Sequence, residues 1–303
     1  MKESIHLKRK VIAGSQEGPH LLITGGVHGD EFEAMGTIRR LIQTITPENL
    51  RGRLTLVPVV NEAAFWRGER TAEDNLDLAR TCPGRPDGSI TERTAHAVSE
   101  LIRSADYFID LHSGGNVMRV SPMSGYVLHR DAKVLDAQRR MARAFNLPIV
   151  WGTSPDLDGR TLSVARDAGV PAMYTEWQGS GECDPAGVNA EYEGCLNVLG
   201  ELGMMVREPP PSLIKHICED HREQSGHMQV NYPAPMAGFF EPSVNLEQSV
   251  KSGEPLGIVT DFLGERTETI LLTQTGIVLT LRAFSRVDKG DCLGVIIDSD
   301  EDR

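Results

Sequence analysis

The alternation of strand-like and helix-like segments over residues 1 to about 205 constrains this chain more than any other feature. Residues 21–24 form an apolar run that reads as a buried strand. Residues 31–45 carry Ala34, Met35, Ile38, Leu41, Ile42 and Ile45 at helical spacing. The pattern then repeats, with strands expected at 53–60, 107–111, 148–151 and 171–175 and helices at 91–104, 131–145, 161–167 and 188–202. Thr91 is the expected N-cap of the helix at 91–104, and 61–90, punctuated by Gly and Pro, reads as a long loop. A chain that alternates in this way folds as an α/β domain, a mainly parallel (mixed) sheet flanked by helices. Ligands bind such sheets outside the carboxyl ends of the strands. His28, Asn61, His112 and Glu176 each fall just past a predicted strand, so the fold class alone predicts a shared site.

The pattern changes after Arg207-Glu208-Pro209-Pro210-Pro211-Ser212, where three prolines stiffen an extended connection. From about residue 228 short apolar stretches are cut by glycines, which predicts a smaller C-terminal all-β domain. The expected organisation is 1–206 and 228–303, with 207–227 as a linker. The order of apolar stretches and glycines in the second part resembles a lipoyl- or biotinyl-carrier sandwich, without the carrier lysine in its hairpin turn. The acidic tail from Asp298 is expected to fray.

Gly25-Gly26-Val27-His28-Gly29-Asp30-Glu31 sets an imidazole and a carboxylate three residues apart, in a turn where they can converge on one metal ion. Two ligands do not make a site. His112, in Asp110-Leu111-His112-Ser113-Gly114-Gly115, suits the third, and Asp110 lies two residues earlier on the same strand face, placed to set an imidazole tautomer. Two His and one Glu, with a fourth position open, form the ligand set of a catalytic rather than a structural zinc, one Zn2+ per chain. Glu176, before the Gly-rich Gln178-Gly179-Ser180-Gly181, is the candidate general base. Arg67, Arg70 and Arg80 lie in the long loop, where any of them could steady an oxyanion or simply sit in solvent. The other seven histidines have no partner pattern and read as surface or core residues.

A formal charge of −12 argues against nucleic acid or an anionic membrane as partner. The N-terminal residues lack the apolar core of a signal peptide, and no run approaches the roughly 18 apolar residues of a membrane span. Five widely spaced cysteines read as reduced thiols of a cytoplasmic protein, with Cys183 alone near a candidate site.

The residues GGVHGDE, Asn61 with Arg70, Asp77-Leu78-Ala79-Arg80 followed by Pro83-Gly84, DLHSGG and Thr175-Glu176-Trp177 together resemble the succinylglutamate desuccinylase/aspartoacylase family. The resemblance implies a zinc carboxypeptidase-like α/β domain, a C-terminal β domain, a homo-oligomer, and zinc-dependent deacylation of a small N-acyl amino acid. By matched position, His28, Glu31 and His112 are the implied metal ligands and Glu176 the base. Arg70 is the implied arginine at the oxyanion. Arg80, Asn61 and Asp77 are implied on the substrate, with Arg80 on its carboxylate. Two positions depart from the family: Glu62 stands where it has Pro, and Ala79 where it has Asn. The lost amide at Ala79 removes a substrate-contacting group and leaves the zinc chemistry intact. The DLHSGG form and the longer arginine loop are most similar to the branch acting on N-acetylated diamino acids. A metallocarboxypeptidase acting on peptides, or a zinc-binding protein without catalysis, would share the same ligands.

Overall fold

The computed structural model describes residues 5–223, 225–228 and 231–298. The tail expected to fray lies beyond these, apart from Asp298. Strands β1 (Lys10–Ala13) and β2 (Gln16–Thr24) lead into helix α1 (Phe32–Thr44). β3 (Arg51–Val57), α2 (Glu62–Arg67) and α3 (Ile90–Arg103) follow, then β4 (Tyr107–Leu111), β5 (Met118–Val127) and α4 (Ala132–Phe145). β6 (Ile149–Thr153), α5 (Thr161–Ala168), β7 (Ala172–Gly179) and α6 (Pro185–Glu201) come next, and β8 (His216–Glu219) lies inside the expected linker. The remaining strands are β9 (Gly238–Pro242), β10 (Ser249–Val250), β11 (Pro255–Thr260), β12 (Thr267–Leu271), β13 (Gly276–Arg282), β14 (Arg286–Val287) and β15 (Gly294–Ile297).

The main sheet runs β1-β3-β2-β4-β7-β5-β13-β10, with β6 and β8 continuing from β5 and β15 pairing β13. β3, β2, β4 and β7 pair in parallel, and β5 is antiparallel to β7. Alternate residues of each central strand feed different cores, as the two-residue period of a strand requires. Leu21, Ile23, Ile109 and Leu111 pack under α1, α4 and α6. Leu22 and Phe108 pack under α3 and α5. A separate four-stranded sheet, β12-β11-β9-β14, is built only from residues after 237 and has its own core around Phe240, Leu256 and Val259.

Four local readings change. The region 61–90 is not all loop, since α2 occupies its start and a short 3-10 turn, Leu78–Arg80, its middle. Helix α3 is capped by Ser89, whose hydroxyl accepts from the Glu92 amide while Glu92 accepts from the Ser89 amide. That reciprocal box satisfies two helix-end donors, which Thr91 could not do. Thr91 instead donates to Asp74 from both its amide and its hydroxyl. β5 has no counterpart in the expected pattern, because its polar and apolar residues do not form a clean apolar run. Finally, β7 does not stop at residue 175: pairing of Met123 with Glu176 and of Val120 with Gln178 carries it on to Gly179.

Residues 228–303 do not all fold apart from the first part. β13 pairs with the early part of β5 through Thr280, Leu281 and Arg282, so C-terminal strands extend the main sheet. Edge amides of β5 that would otherwise be left unpaired are satisfied in this way.

Candidate active site

The turn after β2 puts His28 and Glu31 beside the end of β4. Gly29 is obligatory there, since a Cβ on it would stand 2.1 Å from the Ala64 carbonyl carbon, so the turn and α2 can touch only at a glycine. His112 follows β4 directly, and its amide donates to the Thr175 carbonyl of β7 (3.1 Å). The three side chains meet: His28 Nδ1 lies 2.6 Å from Glu31 Oε1, and His112 Nδ1 lies 2.8 Å from Glu31 Oε2. All three residues are buried, and their ligand atoms lie within 4.8 Å of one another.

The far nitrogens of both rings are also held. His112 Nε2 faces Asp110 Oδ2 at 3.0 Å, and His28 Nε2 faces Asp77 Oδ1 at 3.2 Å. Asp110 is itself fixed by the hydroxyls of Thr24 (2.6 Å) and Thr161 (2.5 Å). A carboxylate on each Nε2 places the ring proton there and turns the Nδ1 lone pairs inward, the arrangement a metal requires. Burial by itself would raise Glu31, but the two imidazoles overcome it and hold this carboxyl well below its ordinary range. For His112, burial opposes a positive charge, yet Asp110 and Glu31 raise it well above the usual imidazole value. Surroundings that attract a proton so strongly attract a cation in its place. The donor set therefore fits a metal ion.

Glu176 lines the same cavity of about 340 Å³ as His28, Glu31, His112, Arg70 and Arg80. Burial pushes its carboxyl up to about 8, with Glu31 adding to the rise and His112 and Arg70 opposing it. Arg70 reaches in from the loop and is anchored by Asp77, which accepts from its Nε (3.2 Å) and Nη2 (3.0 Å). Burial would raise Asp77, but His28 and Arg70 hold it far below the usual carboxylate range. Asp77 thus orients two residues of the site and does not itself line the cavity.

Three other residues of the sequence reading are placed elsewhere. Asn61 lies away from the cavity wall. Its Oδ1 accepts from Ala64 N (3.2 Å), capping α2, and its buried Nδ2 has no partner among the described residues. Arg67 pairs with Glu69 at the surface (2.5 Å). Cys183 is exposed and does not line the cavity either. Ala79 does line it, leaving open the space a longer side chain would fill.

One charged residue of the wall escaped the sequence reading. Arg160 sits between β6 and α5 and shares the cavity with Arg80. Burial, then the Arg160 charge, lowers Arg80 to about 10, and burial lowers Arg160 as well. Two partly buried guanidiniums that repel one another make a receptor for an anion. The strand-end rule that located His28 and His112 would have flagged this loop too, had its boundary been drawn at Thr153. The far wall comes from the C-terminal strands and the turn after them, through Thr280, Arg282 and Asp291.

Comparison with known proteins gives a consistent picture. Residues 17–202 match the model of the succinylglutamate desuccinylase/aspartoacylase catalytic domain. The chain is 29% identical over 286 residues to an N-alpha-acetyl-L-2,4-diaminobutyric acid deacetylase of Halomonas elongata, covering 92% of this chain and 82% of that one. Among solved structures, a product-bound ectoine utilization protein EutE (DoeB) from Ruegeria pomeroyi is similar, with a TM-score of 0.87 and 27% identity over 96% of this chain and 89% of that one. A succinylglutamate desuccinylase/aspartoacylase from Rhodobacter sphaeroides gives a TM-score of 0.86 and 26% identity over 96% of this chain and 88% of that one.

Proposed function

The chain belongs to the succinylglutamate desuccinylase/aspartoacylase family, and from that premise we propose that it is a zinc-dependent hydrolase removing the acyl group from a small N-acylated amino acid. The observation that carries this reading is the convergence of His28, Glu31, His112, Glu176 and Arg70 on one cavity. His28, Glu31 and His112 would hold the zinc, which when bound supplies Lewis acidity and a water acidified to a pKa of roughly 7.

The remaining steps belong to the chain. Glu176, buried and disposed to carry a proton, takes one from the attacking water and delivers it to the departing nitrogen. Arg70, fixed by Asp77, presents its guanidinium to the acyl oxygen as negative charge develops there. Arg80 and Arg160 hold the carboxylate of the amino acid, which fixes the amide relative to Glu176. Because C-terminal residues close one side of the cavity, the site suits a small molecule better than a peptide running through a groove. An acid such as Glu176, retained in the cavity, speaks against a protein that only binds zinc. The diamino acid deacetylase relative falls within the proposed substrate class. Among the described residues no helix is long and apolar enough to cross a membrane, and the five cysteines are free thiols, which supports a reducing, cytoplasmic setting.

The test is a panel of N-acyl amino acids with metal-replete and chelated protein, run beside Glu176→Gln. That variant should retain its metal and lose turnover by about 10²–10⁴-fold. Near-normal turnover in it would remove Glu176 from the reaction.

A further inference from the structure

Tyr174 has no role in the reaction as described, yet its surroundings are specific. It stands two residues before Glu176 on β7, so both side chains leave the same face of the strand, and both line the cavity. Its strand partner on β5 is Gly125. A Cβ at Gly125 would lie 2.3 Å from Tyr174 Cε1 and 2.8 Å from its hydroxyl oxygen. The ring can therefore lie flat over β5 only because residue 125 is glycine. Its body packs between two cores, one containing Phe108, Leu162 and Ala172, the other containing Val120, Met123 and Trp151. A ring fixed this firmly aims its hydroxyl at one place.

The hydroxyl itself makes no hydrogen bond among the described residues. Burial raises the phenol above its ordinary value, Glu176 raises it further and Arg160 opposes, so it stays a neutral O–H at working pH. Arg160 lies close enough for the phenol to act on it in turn. Both Nη atoms of Arg160 lean on one carbonyl, that of Gly226, at 3.2 Å each, so guanidinium N–H groups are left over. A carboxylate is the ligand that answers an idle phenol donor and a guanidinium lining the same cavity.

We infer that the Tyr174 hydroxyl is a substrate-binding group, donating a hydrogen bond to the carboxylate of the N-acyl amino acid beside Arg160. Gly125 is then a positioning residue that admits the ring. The inference rests on the proposed deacylase reading and deepens it: it requires a substrate with a free carboxylate and gives the chain a way to reject the corresponding amide. A hydrogen bond to a charged group contributes roughly 1.5–3 kcal/mol, or about 10–100-fold in affinity.

Tyr174→Phe keeps the ring and its packing and deletes only the donor. With N-alpha-acetyl-L-2,4-diaminobutyrate and its C-terminal carboxamide as paired probes, the variant should bind the acid at least tenfold more weakly. It should bind the carboxamide as before, with kcat on the acid changed less than threefold. Gly125→Ala should reduce the same discrimination by displacing the ring. Affinities are read by calorimetry on the metal-replete protein in the Glu176→Gln background, as well as by kinetics. A panel without turnover would then sink the proposed reaction, while the calorimetric ratio still decides on Tyr174. An unchanged acid-to-carboxamide ratio in Tyr174→Phe overturns the inference, and so does a fall in kcat with that ratio intact, which would move the hydroxyl to the reacting carbonyl.

Discussion

Two groups of buried or half-buried carboxylates flank the start of α1 and differ in charge. On the cavity side, Glu31 is met by two imidazoles and Asp77 by an imidazole and a guanidinium, and both carboxyls are held well below their usual range. On the opposite side, between α1, β7 and α6, Glu191 is fully buried and accepts hydrogen bonds from two hydroxyls, Thr37 at 3.0 Å and Thr175 at 3.1 Å. Burial pushes Glu191 up to about 8, and nearby Glu33 adds to the rise. Glu33, two residues from Glu31, is likewise raised by burial. Burial disfavours the charged form at every one of these sites; the imidazoles and guanidinium around Glu31 and Asp77 reverse it, and the two hydroxyls at Glu191 do not. The difference explains how one helix start can border a candidate metal site and a neutral helix interface at once.

The largest effect is expected from removing the centre of the charged side. Glu31→Gln should lose metal, read by metal analysis, and with it activity by at least about 10⁴-fold, because an amide is a poor ligand for zinc beside two histidines. Retained stoichiometric metal would show that the two histidines suffice.

A smaller effect is expected on the neutral side, and of opposite sign. Because Glu191 in the folded protein sits above its unfolded value, the folded state keeps a proton that the unfolded chain has released. Its stabilising contribution is complete below about pH 4.5 and is lost as pH rises towards about 8. Glu191→Gln should therefore stabilise the protein at pH 8, on the order of 3 kcal/mol, and flatten denaturation midpoints between these pH values. Unchanged pH dependence would mean that Glu191 is charged in the fold and that the contrast with Glu31 is false.

The smallest effect tests the outer support of the charged side. Asp110→Asn should weaken metal affinity by about 10–100-fold with the fold intact, since an amide cannot fix the His112 tautomer as a carboxylate does. Competition with a metal-sensitive dye would measure it.

The metal-ligand candidates and Glu176 were legible in the sequence for a definite reason. In a parallel sheet the shared strand direction brings the carboxyl ends to one edge, and His28 and His112 lie just past two such ends, those of β2 and β4. Glu176, a candidate reached by the same rule, lines the cavity although β7 continues past it, since its neighbour β5 is antiparallel and prolongs the pairing. Arg160 and Tyr174 were missed because nothing local distinguishes them: an arginine at a helix start and a tyrosine in a strand are ordinary residues until a cavity forms around them. Asn61 caps α2 and does not line the cavity, as the same strand-end place also suits a helix cap.

The sequence by itself determined the alternating architecture, the His28–Glu31 turn, the distant His112 and the family, because periodicity and short motifs are local properties of the chain. Tertiary structure alone decided that C-terminal strands would extend the main sheet and wall the cavity. It alone paired Arg80 with Arg160, turned Asp77 from the substrate to His28 and Arg70, and laid Tyr174 over Gly125. Those outcomes depend on which side chains burial brings within a few ångströms, and on the charge that each burial permits. Neither quantity is written in any one segment of the chain.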